Sequence, residues 1–421
     1  MYIERSLQHR IVESMGAMPV VVLHGARSVG KTSLIQRLKE QGVLAAAVSL
    51  ADTDVLHLAR QDVLGWLRAL PQPFAVDEAQ LLPELPLALK NYLDETGDGV
   101  QALLTGSAQI GRSGLGGSDP LAGRTMTFTL PPLTEAELLS SNPKGWSVVD
   151  QMFRSQPRLG HRAEEAFWWH DAVLYGGLPR TRTMKLSRAL LRDQLAAAMD
   201  AILTDHVLPD ERFDVGNARR VLDYVLRHPA GELKVQVIGR EVGLDPRTVD
   251  RYLDVLERRF LITELQNLRP PAKKTPRTTA KAYPGDIAFS ARAHNVSDVG
   301  QQPDRVRGGL FEAFVAQQLT SHCMWAETRS TLWHWRQVKS GRAIEVDLVL
   351  EDTGGNLLGI EVKSGSSVRA DAAKGLRALR DQYGDRVVGG YVITSNAQTM
   401  PMGNGWWAIP ADALRDHTAW Q

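Results

Sequence analysis

A chain of 421 residues with 43% apolar side chains is longer than one hydrophobic core usually grows, so two to four domains are expected. Its 49 basic side chains nearly balance 48 acidic ones, which excludes a molecule that is basic throughout; any nucleic-acid surface must be local. A single cysteine, Cys323, excludes an internal disulfide and a Cys-rich zinc module, and no run reaches about 18 apolar residues, so no membrane partner is expected and a cytoplasmic protein is.

The first predicted strand, Val20-Val21-Val22-Leu23, feeds Gly25-Ala26-Arg27-Ser28-Val29-Gly30-Lys31-Thr32-Ser33, a G-x-x-x-x-G-K-T loop that opens a helix over 33–40. Strand before and helix after make this a phosphate-binding loop. Its glycines let several backbone N–H groups turn inward on phosphate oxygens, Lys31 reaches the β- and γ-phosphates, and the Thr32 hydroxyl is placed to ligate Mg²⁺. ATP and Mg²⁺ are therefore the expected ligands.

Further along, residues 43–50 predict a strand, 55–70 a helix, and Phe74-Ala75-Val76 a short strand ending on Asp77-Glu78. At the end of a strand beside the loop, Asp77 would hold Mg²⁺ through its water shell and Glu78 would polarise the attacking water; otherwise the pair only caps the helix that resumes at Leu85. Residues 100–107 predict another strand, whose polar end offers Thr105 and Ser107 as γ-phosphate sensors or as turn caps. A Gly-rich loop, 111–117, precedes Leu121-Ala122-Gly123-Arg124 and a strand over 125–130, and Arg124 is a candidate arginine finger or sensor acting in its own or a neighbouring subunit.

The order of these motifs, with Asp77-Glu78-Ala79-Gln80, Leu104-Thr105-Gly106-Ser107 and Tyr175-Gly176-Gly177-Leu178-Pro179, resembles a large prokaryotic family of AAA+-type ATPases carrying a C-terminal domain of uncharacterised function. The resemblance implies an ATPase core over 1–140, with a five-stranded parallel sheet. Its phosphate-loop strand would be central, with one strand inserted between it and the strand of Asp77. A helical lid is implied over 141–215, while a homo-oligomer and a protein partner both stay open. Helical patterns cover 163–173 and 186–207; Phe167, Trp168 and Trp169 read as packing residues, and Asp205 and His206 as helix surface.

Residues 216–285 read as a winged helix: an amphipathic stretch over 218–226, helices over 235–242 and 247–260 joined by Gly243-Leu244-Asp245-Pro246, and a wing strand over 261–268. Between 219 and 281 there are 14 basic against 8 acidic residues, and the stretch 269–281, with Lys273, Lys274 and Arg277, stands where a wing tip meets phosphates. DNA is the expected partner, with a protein-docking role or a solvated basic loop as the alternatives.

The last segment, 286–421, predicts a helix over 307–319 bearing Glu312, strands over 331–337, 343–350 and 357–363, a helix over 370–382 and a strand over 387–394. Alternation puts Ile344, Val346, Leu348 and Leu350 on one face with Glu345 and Asp347 on the other, and sets Glu361 and Lys363 opposite Leu358, Ile360 and Val362. Asp347 and Glu361 would then bind a hard cation, and Lys363 would orient or deprotonate a water near a scissile phosphate; a salt bridge to Lys363 is the other way to relieve the two acids. This segment resembles the PD-(D/E)xK nuclease superfamily, with Val346 where the motif has proline and helical Glu312 as a further metal ligand, so an α/β nuclease-like domain is implied, either cutting or only binding nucleic acid.

Overall fold

The computed structural model describes residues 2–97, 99–107, 120–163, 165, 167–204, 213–268, 280–339, 342–365, 367–368 and 371–421. The Gly-rich loop 111–117, Asp205 and His206, and the basic residues Lys273, Lys274 and Arg277 lie outside the described residues. The chain divides into two compact units, Met1–Pro131 and Pro132–Gln421, and the boundaries expected near 140, 215 and 285 all fall inside the second.

The first unit is built on strands β1 (Val20–His24), β2 (Ala46–Ser49), β3 (Phe74–Asp77), β4 (Ala102–Gly106) and β5 (Thr125–Thr129), all parallel, in the order β2-β3-β4-β1-β5. A parallel sheet covered on both faces needs unbroken apolar runs. Accordingly β1, β3 and β4 are buried at every position. The inserted strand is β4. The phosphate-loop strand is flanked on both sides but lies one place off the centre, next to the edge strand β5.

Asp62 divides the helix expected over 55–70. Its extended backbone (φ −154°) ends Thr53–Gln61, and its carboxylate accepts the Gly65 N–H to cap Val63–Arg68.

The second unit holds two further sheets. Helix Val215–Arg227, the pair Val235–Val242 and Pro246–Arg258, and strands β6 (Gly231–Glu232), β7 (Ile262–Leu265) and β8 (Lys281–Pro284) form the first; its sheet has the order β6-β8-β7 and is antiparallel. Asp245 Oδ1 accepts the N–H groups of Arg247 and Thr248 and so starts the second helix of the pair, which buries Val249, Tyr252, Leu253 and Leu256. Past β7 the chain runs beside the larger sheet, where the Leu268 N–H donates to the His334 carbonyl at 2.8 Å.

That larger sheet comprises β9 (Ser330–Lys339), β10 (Arg342–Asp352), β11 (Leu357–Lys363), β12 (Val387–Thr394), β13 (Met400–Gly403) and β14 (Trp406–Pro410), in the order β13-β14-β12-β11-β10-β9. Helix Asp304–Cys323 and helices Trp168–Tyr175 and Ile287–Ala293 contribute to the core on one face; Lys374–Tyr383 packs on the other. Trp168 and Trp169 are buried, whereas Phe167 is 65% exposed, so only the two tryptophans do the packing expected of the three. Among the described residues no helix is long and apolar enough to cross a membrane.

The core under helix Asp304–Cys323 contains His322, fully buried, and burial pushes its pKa down to about 3. Its Nδ1 stands 3.4 Å from the Val148 N–H, as an acceptor that only the neutral ring offers. A histidine neutral in the fold but free to protonate when unfolded contributes stability that is complete above about pH 6.5 and declines toward pH 3. Between pH 7 and pH 5 this unit should lose about 2 kcal/mol of stability from His322 alone. His322→Gln, which keeps an acceptor, should flatten that part of a urea-midpoint profile against pH.

Candidate nucleotide site and acidic cluster

The nucleotide site is assembled at the carboxyl end of β1. Gly25 leaves the strand at φ +155°, where a Cβ would stand 2.7 Å from the Leu130 carbonyl oxygen. Ser28 (φ 66°) and Gly30 (φ 106°) curl the loop into the helix Lys31–Glu40, whose Leu34, Ile35 and Leu38 are buried. Ala26 and Val29 are buried, while Arg27, Ser28, Thr32 and Ser33 are exposed. The Lys31 ammonium donates to the carbonyls of Gly25 (2.8 Å) and Ala26 (3.0 Å).

At the end of β3, Asp77 is 4% exposed; its Oδ2 accepts the Thr32 hydroxyl at 2.6 Å and its Oδ1 accepts the Thr105 hydroxyl from β4. The structure thus brings Lys31, Thr32, Asp77 and Thr105 together. Glu78 follows in the left-handed region (φ 55°), which breaks the strand into the short turn Ala79–Leu81. That turn returns Gln80, whose Nε2 donates to Glu78 Oε2 at 2.5 Å and to Ser107 Oγ at 3.3 Å. The Glu78 carboxylate is therefore tethered through Gln80 to the end of β4.

Sequence reasoning missed Gln80, although it stands in the same short motif as Glu78. It also missed Arg5, a buried guanidinium that donates to the loop carbonyl of Val29 (2.9 Å) and to the Pro131 carbonyl (2.5 Å).

Arg124 requires a correction. Thr125 pairs with Val20, the first residue of β1, whereas the phosphate loop follows the last, His24. In a parallel sheet this puts Arg124 at the opposite end of the strands from Lys31, roughly 15 Å away along the strand. There it pairs with Asp94 at 2.6 Å. It is not a sensor of this chain's own nucleotide.

In the second unit the strand alternation expected for β10 is interrupted. Val346 pairs with Trp335 but Val349 with Trp333, so two residues of β10 oppose the single His334 of β9. This bulge sends Val346 to the face of Leu376 and Leu379, and Leu348 and Leu350 to the face of Phe311 and Phe314. The β10–β11 ladder ends at Leu348 and Ile360, and Asp347 fills the fork beyond it, where its Oδ2 accepts the Val362 N–H at 2.8 Å.

Around Asp347 stand two acids and two lysines. Lys363 Nζ is 2.8 Å from Glu361 Oε2 and 3.5 Å from Asp347 Oδ2. Lys281, from β8, lies 2.9 Å from Glu312 Oε1 and 4.0 Å from Asp347 Oδ1, and the Tyr283 hydroxyl donates to the same Glu312 oxygen at 3.0 Å. On the floor, a Cβ on Gly375 would stand 2.1 Å from Glu361 Oε1, so helix Lys374–Tyr383 closes down on this carboxylate.

Burial, reinforced by the charge of Asp347, pushes Glu361 up to about 8. Burial also raises Glu312, to about 7, against the pull of Lys281. Burial opposes the charges of Lys281 and Lys363, but the neighbouring carboxylates outweigh it and hold both above the ordinary lysine range.

In this arrangement Lys363 is an ammonium donor to Glu361 and Asp347. As placed, the ligand atoms of Glu312, Asp347 and Glu361 do not all lie within 4.8 Å of one another; among the described residues those of His161, Asp412 and Asp416 do. Lys281 and Tyr283 were not singled out from sequence, because nothing local connects β8 to Glu312, 31 residues away.

A five-stranded parallel sheet with a G-x-x-x-x-G-K-T loop at the end of one strand and an Asp-Glu pair two strands away defines a P-loop nucleoside triphosphatase. More narrowly, residues 17–139 match the family model described as AAA domain, and the first unit is a P-loop ATPase domain of the AAA type. Residues 167–299 and 307–414 match two models described as domains of unknown function, DUF8612 and DUF4143.

No curated protein matches the chain. Among solved structures it is similar to the Walker-type ATPase of Pyrococcus abyssi, with 16% identity over 70% of this chain and 96% of that one and a TM-score of 0.41. The Aeropyrum pernix Orc1 protein in complex with DNA gives 13%, 72%, 94% and 0.29, and the Thermotoga maritima RuvB Holliday junction branch migration motor 15%, 63%, 90% and 0.27. These likenesses are too faint to carry a function.

Proposed function

We propose that the first unit binds ATP with Mg²⁺ and hydrolyses it, and that the chain couples this turnover to DNA. The observation that carries the reading is the Asp77 constellation: a buried carboxylate shared by the Thr32 and Thr105 hydroxyls, with Glu78 next to it and steered by Gln80. Thr32 and Asp77 fit a hydrated Mg²⁺, since adjacent hydroxyl and carboxylate oxygens are the hard donors this ion takes. The loop from Gly25 to Ser33 would hold the phosphates, and the bound ion would offset charge on their oxygens. In this reading Glu78 polarises the attacking water, and Thr105 and Ser107 tie the end of β4 to the same site.

The DNA part rests on the second unit. Helices Val215–Arg227, Val235–Val242 and Pro246–Arg258 with β6, β7 and β8 support a winged helix, and Arg247, Arg251 and Arg258 are exposed on its last helix. Asp250 and Asp254 are interleaved with them, so this face suits positioning on phosphates better than strong non-specific binding. For the C-terminal sheet, the bulge at Asp347 and the Glu361-x-Lys363 pair support a nuclease-like arrangement. Lys281, buried against Glu312, favours the reading in which that arrangement does not cut.

ATP turnover with linear, supercoiled and branched DNA tests the coupling. At least one form should raise it several-fold, by an amount that shrinks as salt rises and phosphate contacts are lost. Turnover indifferent to every form, with no DNA retained at low salt, would point to a protein client instead.

A further inference from the structure

The acidic cluster of the second unit contains a cation that belongs to the chain itself. Lys281 is 6% exposed, and its ammonium spans two acids, Glu312 and Asp347, carried by a helix and a strand of the larger sheet assembly. Lysine is rarely buried unless paired, and here it is buried where two carboxylates from distant parts of the sequence face each other. Tyr283, two residues on along β8 and on the same face, donates to the Glu312 oxygen that Lys281 also holds. Asp347 Oδ2 is taken by the Val362 N–H, and Glu361 Oε2 by Lys363.

A divalent cation between Glu312 and Asp347 would need those oxygens at about 2.0–2.6 Å, in the space the Lys281 ammonium fills. It would also meet a like charge there. We propose that Lys281 is the resident cation of this site. It replaces a divalent metal ion between Glu312 and Asp347 and makes the site an ionic joint that locks β8 to the larger sheet. A latent divalent-cation site lies beneath it, open only when the lysine charge is removed. This inference does not depend on ATP hydrolysis, and it is tested without nucleotide.

The probe is Mn²⁺, titrated into the full chain and followed by loss of the free-ion electron paramagnetic resonance signal. Wild type and Asp347→Asn should take up Mn²⁺ equally weakly. Lys281→Met should bind it at least about tenfold more tightly, with the ion raising its melting midpoint by mass action. Adding Asp347→Asn to that variant should return both readings to the wild-type level. If Lys281→Met does not fold, Lys281→Gln carries the same comparison, because it keeps a donor for Glu312 without the charge. Mn²⁺ uptake by the wild type that disappears in Asp347→Asn overturns the proposal, and so does a folded, charge-free variant that binds no more Mn²⁺ than the wild type.

Discussion

Glu78→Gln should bind ATP at close to wild-type affinity and hydrolyse it roughly 10²–10⁴-fold more slowly, the range expected when a positioned general base is removed. The amide is isosteric with the carboxylate, so the left-handed turn at Glu78 and the buried Asp77 network are left as they are. Only the capacity to draw a proton from water is lost, and this enters the transition state and not the ground state. The reading therefore requires a fall in kcat with the dissociation constant for ATP unchanged. The tether from Gln80 sharpens the expectation: a carboxylate fixed at 2.5 Å by a neighbouring amide is already aimed, so its loss is not made good by a mobile substitute. If binding and turnover fall together, Glu78 maintains the shape of the strand end and is not the base.

The second large effect belongs to Lys31. In this structure its ammonium is held by the Gly25 and Ala26 carbonyls, which places it on the concave side of the loop that phosphates would enter. Hydrogen bonds to charged partners contribute about 1.5–3 kcal/mol each, so removing two of them from a triphosphate should weaken binding roughly a hundredfold or more. Lys31→Ala should accordingly lose ATP binding measured by equilibrium titration. The fold should stay intact, because the helix Lys31–Glu40 is held by Leu34, Ile35 and Leu38, which the substitution leaves in place. An affinity within a few-fold of wild type would remove Lys31 from the site.

Much of this site was legible because its parts are local. A loop that must curl around phosphate dictates four residue types, Gly25, Gly30, Lys31 and Thr32, within eight consecutive positions, and the Asp77–Glu78 pair announces itself by closing an apolar run. Gln80 and Arg5 were not legible, since neither residue type is demanded by its own segment. Arg5 acts on the Pro131 carbonyl 126 positions away, and that contact exists only once the sheet has formed. Arg124 was misread for a related reason: its position before a strand was clear, but which end of the sheet it occupies depends on the register of β5 against β1.

In the second unit the pattern of β11 and β12 could be read residue by residue, because an internal strand flanked on both sides is specified by its apolar positions. β13 and β14 were both missed: β13 is a short edge strand with Pro401 and Gly403 in it, the residues that ordinarily argue against a strand, and β14, although internal, is only five residues long and ends on Pro410. The bulge in β10 was also invisible, since alternation presumes an unbroken ladder. It was the bulge that separated Val346 from Leu348 and set Asp347 in the fork. Lys281 shows the same limit from the other side. A lysine beside a basic stretch reads as surface, and only the assembled sheets show it buried among acids.

The central claim is that Lys31, Thr32, Asp77 and Glu78 form a working Mg²⁺-dependent ATPase centre. Phosphate release from ATP by the full chain, followed with Mg²⁺ and with the ion chelated, in the wild type beside Lys31→Ala, tests it most directly. Release should be steady, require Mg²⁺ and vanish in the variant. No release from the wild type, or equal release from Lys31→Ala, would contradict it.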